Sequence, residues 1–225
     1  MKSDERPQRP LAPGAITRLV AQQKNPNRVS VFIDEAFAFG VHVDLVVEFG
    51  LHKGKVLEVE VQQQIVSADR VRAARETALG YLGYGARTER EVRQKLIRSG
   101  FEEDVAEDTV VRLRELGYLD DAAYARSYVQ ARFRNRGYGP GRLRGDLLRR
   151  GIAAALIDAV LDDLTEQEDM LEAARRHAEK RWPRLARETD AQKRRKKLSD
   201  YLVRRGFSYE TARRVIDDLE NQHAS

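Results

Sequence analysis

A six-residue pattern that occurs three times along the chain restricts its fold more than any other feature. Each copy has two apolar residues, an arginine, a polar or charged residue, a glycine and another apolar residue. The glycines are 51 and then 55 residues apart, and an aliphatic residue and a leucine follow each of them after ten and thirteen positions. Such a period predicts tandem copies of one small unit. The copies occupy residues 96–101, 147–152 and 202–207.

The residues around each glycine predict a unit of three helices. The apolar pair directs the second helix into a small core, and the glycine ends that helix in the left-handed conformation. The apolar residue after the glycine is expected to pack back on this core. Because one such unit is too small to be very stable alone, we expect neighbouring units to stack into an elongated, curved array.

The first copy also carries signals for its helix ends. Thr88 and Glu91 have the spacing of a capping box, which predicts the start of the second helix. Gly100 and Gly117 are expected to end the second and third helices. The positions predicted to face the core or the neighbouring helices are Val71, Ala74, Ala78, Leu82, Val92, Leu96, Ile97, Val105, Thr109, Val110 and Leu113.

Residues 14–66 follow a different pattern. Apolar and polar residues alternate on both sides of Asp34-Glu35, which is typical of a β-hairpin. Residues 16–20 offer a third strand, and a short helix is expected to end at Gly50. Residues 55–64 are ambiguous between strand and helix, and their length favours a helix. The alternating apolar residues are Val29, Val31, Ile33, Phe37, Phe39 and Val41.

These patterns together predict a mainly α protein. It consists of three tandem three-helix repeats after a small N-terminal domain that contains a β-hairpin. The low aromatic content of 7% also favours thin helical modules over one thick core. The predicted segments are a disordered tail over 1–13, the β-containing domain over 14–66, and the repeats over 67–119, 120–168 and 169–225.

The composition excludes several classes of protein. The chain has no cysteine, which excludes disulfides, thiol nucleophiles and cysteine-bound zinc. It has no stretch of apolar residues long enough for a membrane span, and its polar start does not resemble a signal peptide. These features predict a cytoplasmic protein that does not bind membranes.

No segment carries a recognisable catalytic motif. The glycine-rich residues 137–141 do not follow a strand and lack the Gly-Lys-Ser/Thr of a phosphate loop, so they are interpreted as a turn. The acidic pairs at 162–163 and 217–218 recur at equivalent repeat positions, whereas a catalytic pair would be unique. Asp120 or Asp121 is expected to cap a helix. Since the four histidines also lack metal-binding spacing, we expect no enzyme, no metal and no cofactor.

Basic residues are concentrated in the second and third repeats, although the net charge is only +5. Acidic residues concentrate on the third helices, which predicts separate positive and negative surfaces. The basic clusters are candidates for contact with a polyanion such as DNA, or with an acidic protein groove, while a solvated helix face is the plainer alternative. Nearby aromatic residues are interpreted as core, with Tyr138 in a glycine turn as the best candidate for base stacking. The predicted binding residues are Arg132, Arg134, Arg136, Arg142, Arg144, Arg149, Arg150, Lys193, Arg194, Arg195, Lys196 and Lys197.

The repeat residues resemble the RecX family, the bacterial regulators of the RecA recombinase. The resemblance runs through residues 88–96 with Gly100 and Phe101, through Gly-Tyr-Leu-Asp-Asp at 117–121 with Tyr124 and Ala125, and through residues 147–152. It implies three tandem three-helix units that bind along the RecA–single-stranded DNA filament. Binding would block filament growth or promote disassembly, and so lower strand exchange and co-protease action in recombination, DNA repair and the SOS response. The resemblance implies no catalysis, no cofactor and no essential residue, and we expect a monomer.

Two other functions fit the same residues. A helical-repeat protein of this kind could bind DNA as a regulator that acts without RecA, since three-helix units with a sharp turn resemble helix-turn-helix readers. Against this, no unit shows an obvious recognition helix. A purely structural scaffold is the third alternative, and it predicts no affinity for nucleic acid.

Overall fold

The computed structural model describes residues 11–23, 25–185 and 187–224. The chain divides into two compact units. One comprises the chain up to Gly83 together with Lys95–Thr109, and the other comprises Tyr84–Gln94 together with the chain from Val110 onward. The first ten residues of the predicted disordered tail lie outside the described residues.

The first unit contains a four-stranded antiparallel sheet in the order β3-β2-β1-β4. The short helix α1 (Val43–Glu48) follows β3, as the sequence predicted. The strands and α1 share a core that includes Ile16, Val31, Phe39 and Leu45. The strands are β1 (Gly14–Gln22), β2 (Asn25–Ile33), β3 (Ala36–His42) and β4 (Val56–Leu57).

The predicted hairpin is formed by β2 and β3, with a two-residue turn at Asp34-Glu35. Both turn residues have positive φ angles, 47° and 65°, as a type I′ turn requires. Three hydrogen bonds to β1 hold this conformation. The Asp34 N–H donates to the Ala15 carbonyl (3.1 Å), the Ala15 N–H donates to Asp34 Oδ1 (3.2 Å), and the Glu35 N–H donates to Thr17 Oγ1 (3.0 Å).

The prediction of a helix over residues 55–64 is wrong for the first part of that segment. Val56 and Leu57 form β4, which pairs with Ala15 and Gly14 of β1. The Ile16 N–H also donates to the Lys55 carbonyl at 2.8 Å. Pairing with a strand distant in sequence therefore overrides the local preference, and the helix begins only at Val59.

The helices that follow group into three sets of three, which confirms the predicted tandem units. The predicted boundary between residues 66 and 67 lies inside the first of these helices, while those after 119 and 168 lie between helices. Among the described residues the sets are α2 (Val59–Leu82), α3 (Glu89–Arg98) and α4 (Glu103–Glu115); α5 (Asp121–Arg136), α6 (Pro140–Arg149) and α7 (Ala154–Gln167); and α8 (Met170–Leu185), α9 (Ala191–Arg204) and α10 (Tyr209–Ala224).

The repeated glycines end the second helix of each set in the same way. Gly100, Gly151 and Gly206 have φ angles of 88°, 87° and 96°. In each copy the N–H of the residue after the glycine donates to the carbonyl of the first leucine of the pattern, at 3.2 Å every time. The glycine N–H donates to the carbonyl of the residue after that leucine, at 2.9, 3.0 and 2.9 Å. This is a Schellman motif, and it confirms the predicted helix ends.

The prediction that both residues of each apolar pair face the core is wrong. The leading leucines Leu96, Leu147 and Leu202 are fully buried, whereas the residues after them are each 44% exposed. Successive residues of a helix differ by about 100° in direction, so a narrow core receives only the first of the two. The exposed residues are Ile97, Leu148 and Val203, and Val71 of α2 is likewise exposed.

Side-chain caps start several helices as the sequence predicted. At α3 the Glu91 N–H donates to Thr88 Oγ1, and the Thr88 N–H donates to Glu91 Oε2, both at 3.2 Å. This is a complete capping box. Asp120 is the N-cap of α5, where its Oδ1 accepts from the Ala123 N–H at 2.8 Å.

Candidate nucleic-acid interface

Two joints between successive repeats lie within the second unit, and their charges differ. At the first joint the N-cap of α3 contacts the end of α6. Thr88 Oγ1 donates to the Arg150 carbonyl at 2.7 Å, and the Arg150 guanidinium is ion-paired with Glu91 at 2.6 Å. The same guanidinium lies over the rings of Tyr124 and Tyr128, at 5.8 and 5.1 Å from their centroids. An acid and a base therefore neutralise each other at this joint.

The second joint brings backbone segments of repeats two and three into direct contact. The Gly139 N–H donates to the Arg205 carbonyl (2.7 Å), and the Gly141 N–H donates to the Gly206 carbonyl (2.9 Å). A Cβ on Gly139 would lie only 2.6 Å from the Gly206 carbonyl carbon and oxygen. Gly137, with φ at 61°, ends α5. Residues 137–139 therefore connect α5 to α6, residues 140–141 begin α6, and Gly139 allows the close packing against Gly206.

A cationic groove of about 400 Å³ opens at this second joint, and we name it the joint groove. Arg142 lies over the Tyr138 ring at 3.8 Å and donates to the Tyr138 hydroxyl at 3.1 Å. Arg205 is held in the same manner, 5.1 Å from the Tyr201 ring centroid and with Nε donating to the Tyr201 hydroxyl at 2.8 Å. The lining residues are Arg136, Tyr138, Arg142, Tyr201, Arg204 and Arg205.

The joint groove carries positive charge without a counter-charge. Its lining contains four arginines and no carboxylate. Within the described part of the chain, none of these four arginines forms an ion pair with an acidic side chain. Arg205 Nη1 also donates to the Arg136 carbonyl at 2.7 Å, so this guanidinium is held in place by neutral groups alone. The geometry suits an anionic ligand.

Only part of the predicted basic surface is free to bind a polyanion. Arg144 of α6 pairs with Asp158 of α7, and Arg195 of α9 pairs with Asp217 and Glu220 of α10. The prediction of separate positive and negative surfaces is therefore wrong for these residues, because second and third helices of a repeat face each other and their charges meet. The other predicted residues with an acidic partner are Arg149 (Asp146), Arg150 (Glu91), Lys193 (Asp190) and Lys197 (Glu188).

The remaining predicted residues have no acidic partner among the described residues. Arg132 lies over Tyr128 at 5.2 Å, and Arg194 lies over Trp182 at 5.3 Å and donates to the Glu188 carbonyl at 3.3 Å. Trp182 itself is part of the core. The others in this group are Arg134, Arg136, Arg142 and Lys196, all exposed.

The sequence interpretation missed three residues of the joint groove: Tyr201, Arg204 and Arg205. A signal for two of them was present. Tyr201 and Arg205 are four residues apart at the end of α9, a spacing that places two side chains on the same face of a helix, and Tyr138 and Arg142 have the same spacing across the start of α6. Arg205 also occupies the same position in its repeat as Arg150, which is one of the predicted binding residues.

The imidazole of His177 on α8 is half-buried against the same joint. A Cβ on Gly137 would lie 1.7 Å from its Nε2. Burial, together with the positive charges of Arg205, Lys180 and Arg176, lowers the pKa of His177 from 6.5 to about 4. The folded protein therefore keeps this imidazole neutral at pH values where an exposed histidine is protonated.

The free energy of unfolding is expected to fall as the pH falls from about 6.5 to about 4. In this window the unfolded chain binds a proton at His177 that the folded protein does not bind, so acid favours unfolding. The change should be measured as the loss in Tm between about pH 7 and about pH 4.5 at constant ionic strength. The variant His177→Leu cannot be protonated at this position, so its Tm should fall less between the two pH values. Equal losses in both proteins would contradict this role.

No group of three His, Asp or Glu side chains within residues 11–23, 25–185 and 187–224 is placed to hold a metal ion. In the same ranges, no helix combines the length and the apolar character that a membrane span needs.

A sheet domain followed by three-helix repeats, with a cationic groove at one joint, defines a modular helical-repeat protein. Four family models match it in consecutive order. They describe the "Regulatory protein RecX N-terminal domain" (residues 14–58) and the first, second and third three-helix domains of RecX (residues 74–113, 120–161 and 167–216). The chain belongs to the RecX family.

Curated relatives and solved structures agree with this assignment. "Regulatory protein RecX" of Clostridium acetobutylicum is 33% identical over 210 residues, which cover 92% of this chain and 97% of the relative. The protein of the same name from Leuconostoc citreum is 34% identical over 89% of this chain and 74% of its own length. A crystal structure of regulatory protein RecX has a TM-score of 0.72 at 29% identity and covers 91% of this chain and 99% of its own. RecX from Lactobacillus salivarius has a TM-score of 0.59 at 28% identity, over 68% and 98% of the two chains.

Proposed function

We propose that this chain is a non-enzymatic, cytoplasmic regulator of the RecA recombinase. It binds the RecA–single-stranded DNA filament and inhibits filament growth, strand exchange and co-protease activity. Membership of the RecX family over four consecutive domains is the observation that carries the proposal. The family's relatives are named regulatory proteins, which supports a role in control over one in catalysis.

The distribution of unpaired charge supports contact with a nucleoprotein filament. Arg134 on α5 and Lys196 on α9 are exposed and have no carboxylate partner among the described residues. Such side chains can approach phosphates without first breaking an ion pair. Each phosphate contact releases condensed counterions, so binding through these residues weakens as the salt concentration rises.

The proposal is tested by RecA-dependent ATP hydrolysis on single-stranded DNA, with the protein titrated from substoichiometric amounts. We expect inhibition below one molecule per RecA protomer, since a regulator at growing filament ends acts on many protomers. The double variant Arg134→Ala, Lys196→Ala should inhibit less, and the slope of log affinity against log salt should fall by about 0.7 for each lost contact to a single strand.

A charge-neutral control separates this effect from general damage. The double variant Arg144→Ala, Asp158→Ala removes a pair that is already neutral, so its inhibition and salt dependence should match the original protein. Absence of inhibition by the original protein even at saturation would refute the RecA assignment. Sequence-specific duplex binding in a mobility shift without RecA would instead support the alternative, a DNA-binding regulator that acts independently.

A further inference from the structure

We propose that the joint groove is a phosphate-binding site for the backbone of a single nucleic-acid strand. We also propose that the strand supplies the negative charge that this joint lacks, and so stabilises the packing of repeat three on repeat two. The inference rests on the proposed function in that it assigns strand contacts to one groove. Neither the groove nor its test requires RecA.

The two joints are built alike but differ in charge. Thr88 and Gly139 are the equivalent N-caps, and each is bonded to the carbonyl of an equivalent arginine, Arg150 or Arg205. The third residue of the helix carries opposite charges at the two joints: it is Glu91 in α3 and Arg142 in α6. At the first joint this position neutralises the arginine at 2.6 Å. At the second joint a second guanidinium takes its place, so no carboxylate of the groove lining neutralises Arg205, and an anionic ligand can supply the missing charge.

The two central guanidiniums are already held in position for a ligand. Arg142 and Arg205 each donate to a tyrosine hydroxyl, at 3.1 and 2.8 Å, and each lies over that tyrosine ring. Arg205 is fixed further by the Arg136 carbonyl at 2.7 Å. Because an arginine carries five N–H donors, each guanidinium retains donors for phosphate oxygens. Little side-chain freedom is lost on binding, which favours affinity.

The chemistry favours a phosphate backbone over other anions. Planar guanidiniums match the oxygens of a phosphate with paired hydrogen bonds, and four of them suit more than one phosphate. Arg142 and Arg204 also line a neighbouring groove of about 750 Å³ in the same unit.

The decisive experiment is the variant Arg142→Glu, which gives the second joint the charges of the first. Binding of a fluorescently labelled oligothymidylate is measured by anisotropy without RecA, and Tm is measured in low salt without phosphate. We expect affinity to fall at least about tenfold, because the variant removes one charge-assisted contact and adds a repulsive charge. We expect Tm to rise, because the new carboxylate pairs with Arg205. A merely structural role for Arg142 predicts a lower Tm instead.

The control variant Arg126→Glu makes the same charge change on an exposed part of α5 that does not line the groove. It should keep most of the affinity. Oligothymidylate should raise the Tm of the original protein and leave that of Arg142→Glu unchanged. Equal loss of affinity in both variants, or unchanged affinity in Arg142→Glu, would overturn the site. Binding of ATP or inorganic phosphate without any binding of the oligonucleotide would overturn the strand assignment.

RecA-dependent ATP hydrolysis with the same variants separates this inference from the proposed function. If Arg142→Glu binds the oligonucleotide normally and the original protein inhibits RecA, the joint groove is refuted while the proposed function stands. If the oligonucleotide result holds and the original protein does not inhibit RecA, the groove is supported and the proposed function fails.

Discussion

Replacing Gly206 with alanine is expected to destabilise the second unit by about 2–5 kcal/mol, the sum of two costs. A φ angle of 96° is unfavourable for a residue with a Cβ and costs about 1–2 kcal/mol. The added Cβ would also lie 2.3 Å from the Arg142 backbone nitrogen, and forced overpacking of this kind costs about 1–3 kcal/mol. The free energy of unfolding is measured by urea denaturation followed by circular dichroism.

Two other glycines isolate the steric part of this cost. Gly117, in the same unit, has a φ of 75°, and a Cβ added there would have no atom within 4 Å, so Gly117→Ala should lose only the conformational part. Gly100, at the equivalent repeat position, has a φ of 88° and equally open surroundings. If Gly206→Ala is no more destabilised than these two variants, the close approach of repeats two and three at this glycine is not important for stability.

The second large effect concerns two adjacent leucines that look alike in the sequence. Leu147→Ala should lower the free energy of unfolding by about 2–5 kcal/mol, because it empties a fully buried position in the core of repeats two and three. Leu148→Ala should cost less than about 1 kcal/mol, because Leu148 is 44% exposed. Urea denaturation of both variants measures the contrast directly.

The same pair provides its own control, since both substitutions remove the same atoms from neighbouring positions of α6. Helix propensity therefore changes equally in the two variants. A similar loss of stability in both would mean that Leu148 is covered by protein in solution. The pair Leu202 and Val203 in α9 offers a second test at the same register, although Val203→Ala removes one carbon atom fewer than Leu202→Ala.

The three-helix units could be predicted because their signals are local. A glycine with positive φ, flanked by residues that close a Schellman motif, leaves the same short pattern wherever it occurs. The capping box of Thr88 and Glu91 is also contained within four residues. Which residue of the pair faces the core follows from the helical period: Leu147 lies four residues after the buried Leu143, whereas Leu148 lies four residues after Arg144.

The candidate site was harder to predict because its charges pair over long separations in sequence. Arg144 and Asp158 belong to different helices, so their segregation along the chain suggested separate surfaces that the fold then brings together. The joint groove combines residues of α5, α6 and α9, with Arg136 and Arg205 far apart in sequence. Basic density identified Arg136 and Arg142, while only tertiary packing places Arg205 beside them.

The N-terminal strand β4 illustrates the same limit. Val56 and Leu57 were assigned to a helix on length, whereas their structure is decided by β1, about forty residues earlier in the chain. The hairpin of β2 and β3 was predicted correctly, because its two-residue turn is local and its strands alternate clearly.

The hydroxyl of Thr88 has two partners that belong to different repeats. It accepts from the Glu91 N–H and donates to the Arg150 carbonyl, so one side chain both begins α3 and fastens it to the end of α6. Fraying of the first turn of α3 therefore deprives the neighbouring repeat of a donor. We therefore expect the start of α3 and the end of α6 to lose order together, with the Arg150–Glu91 ion pair as a second link between the two repeats.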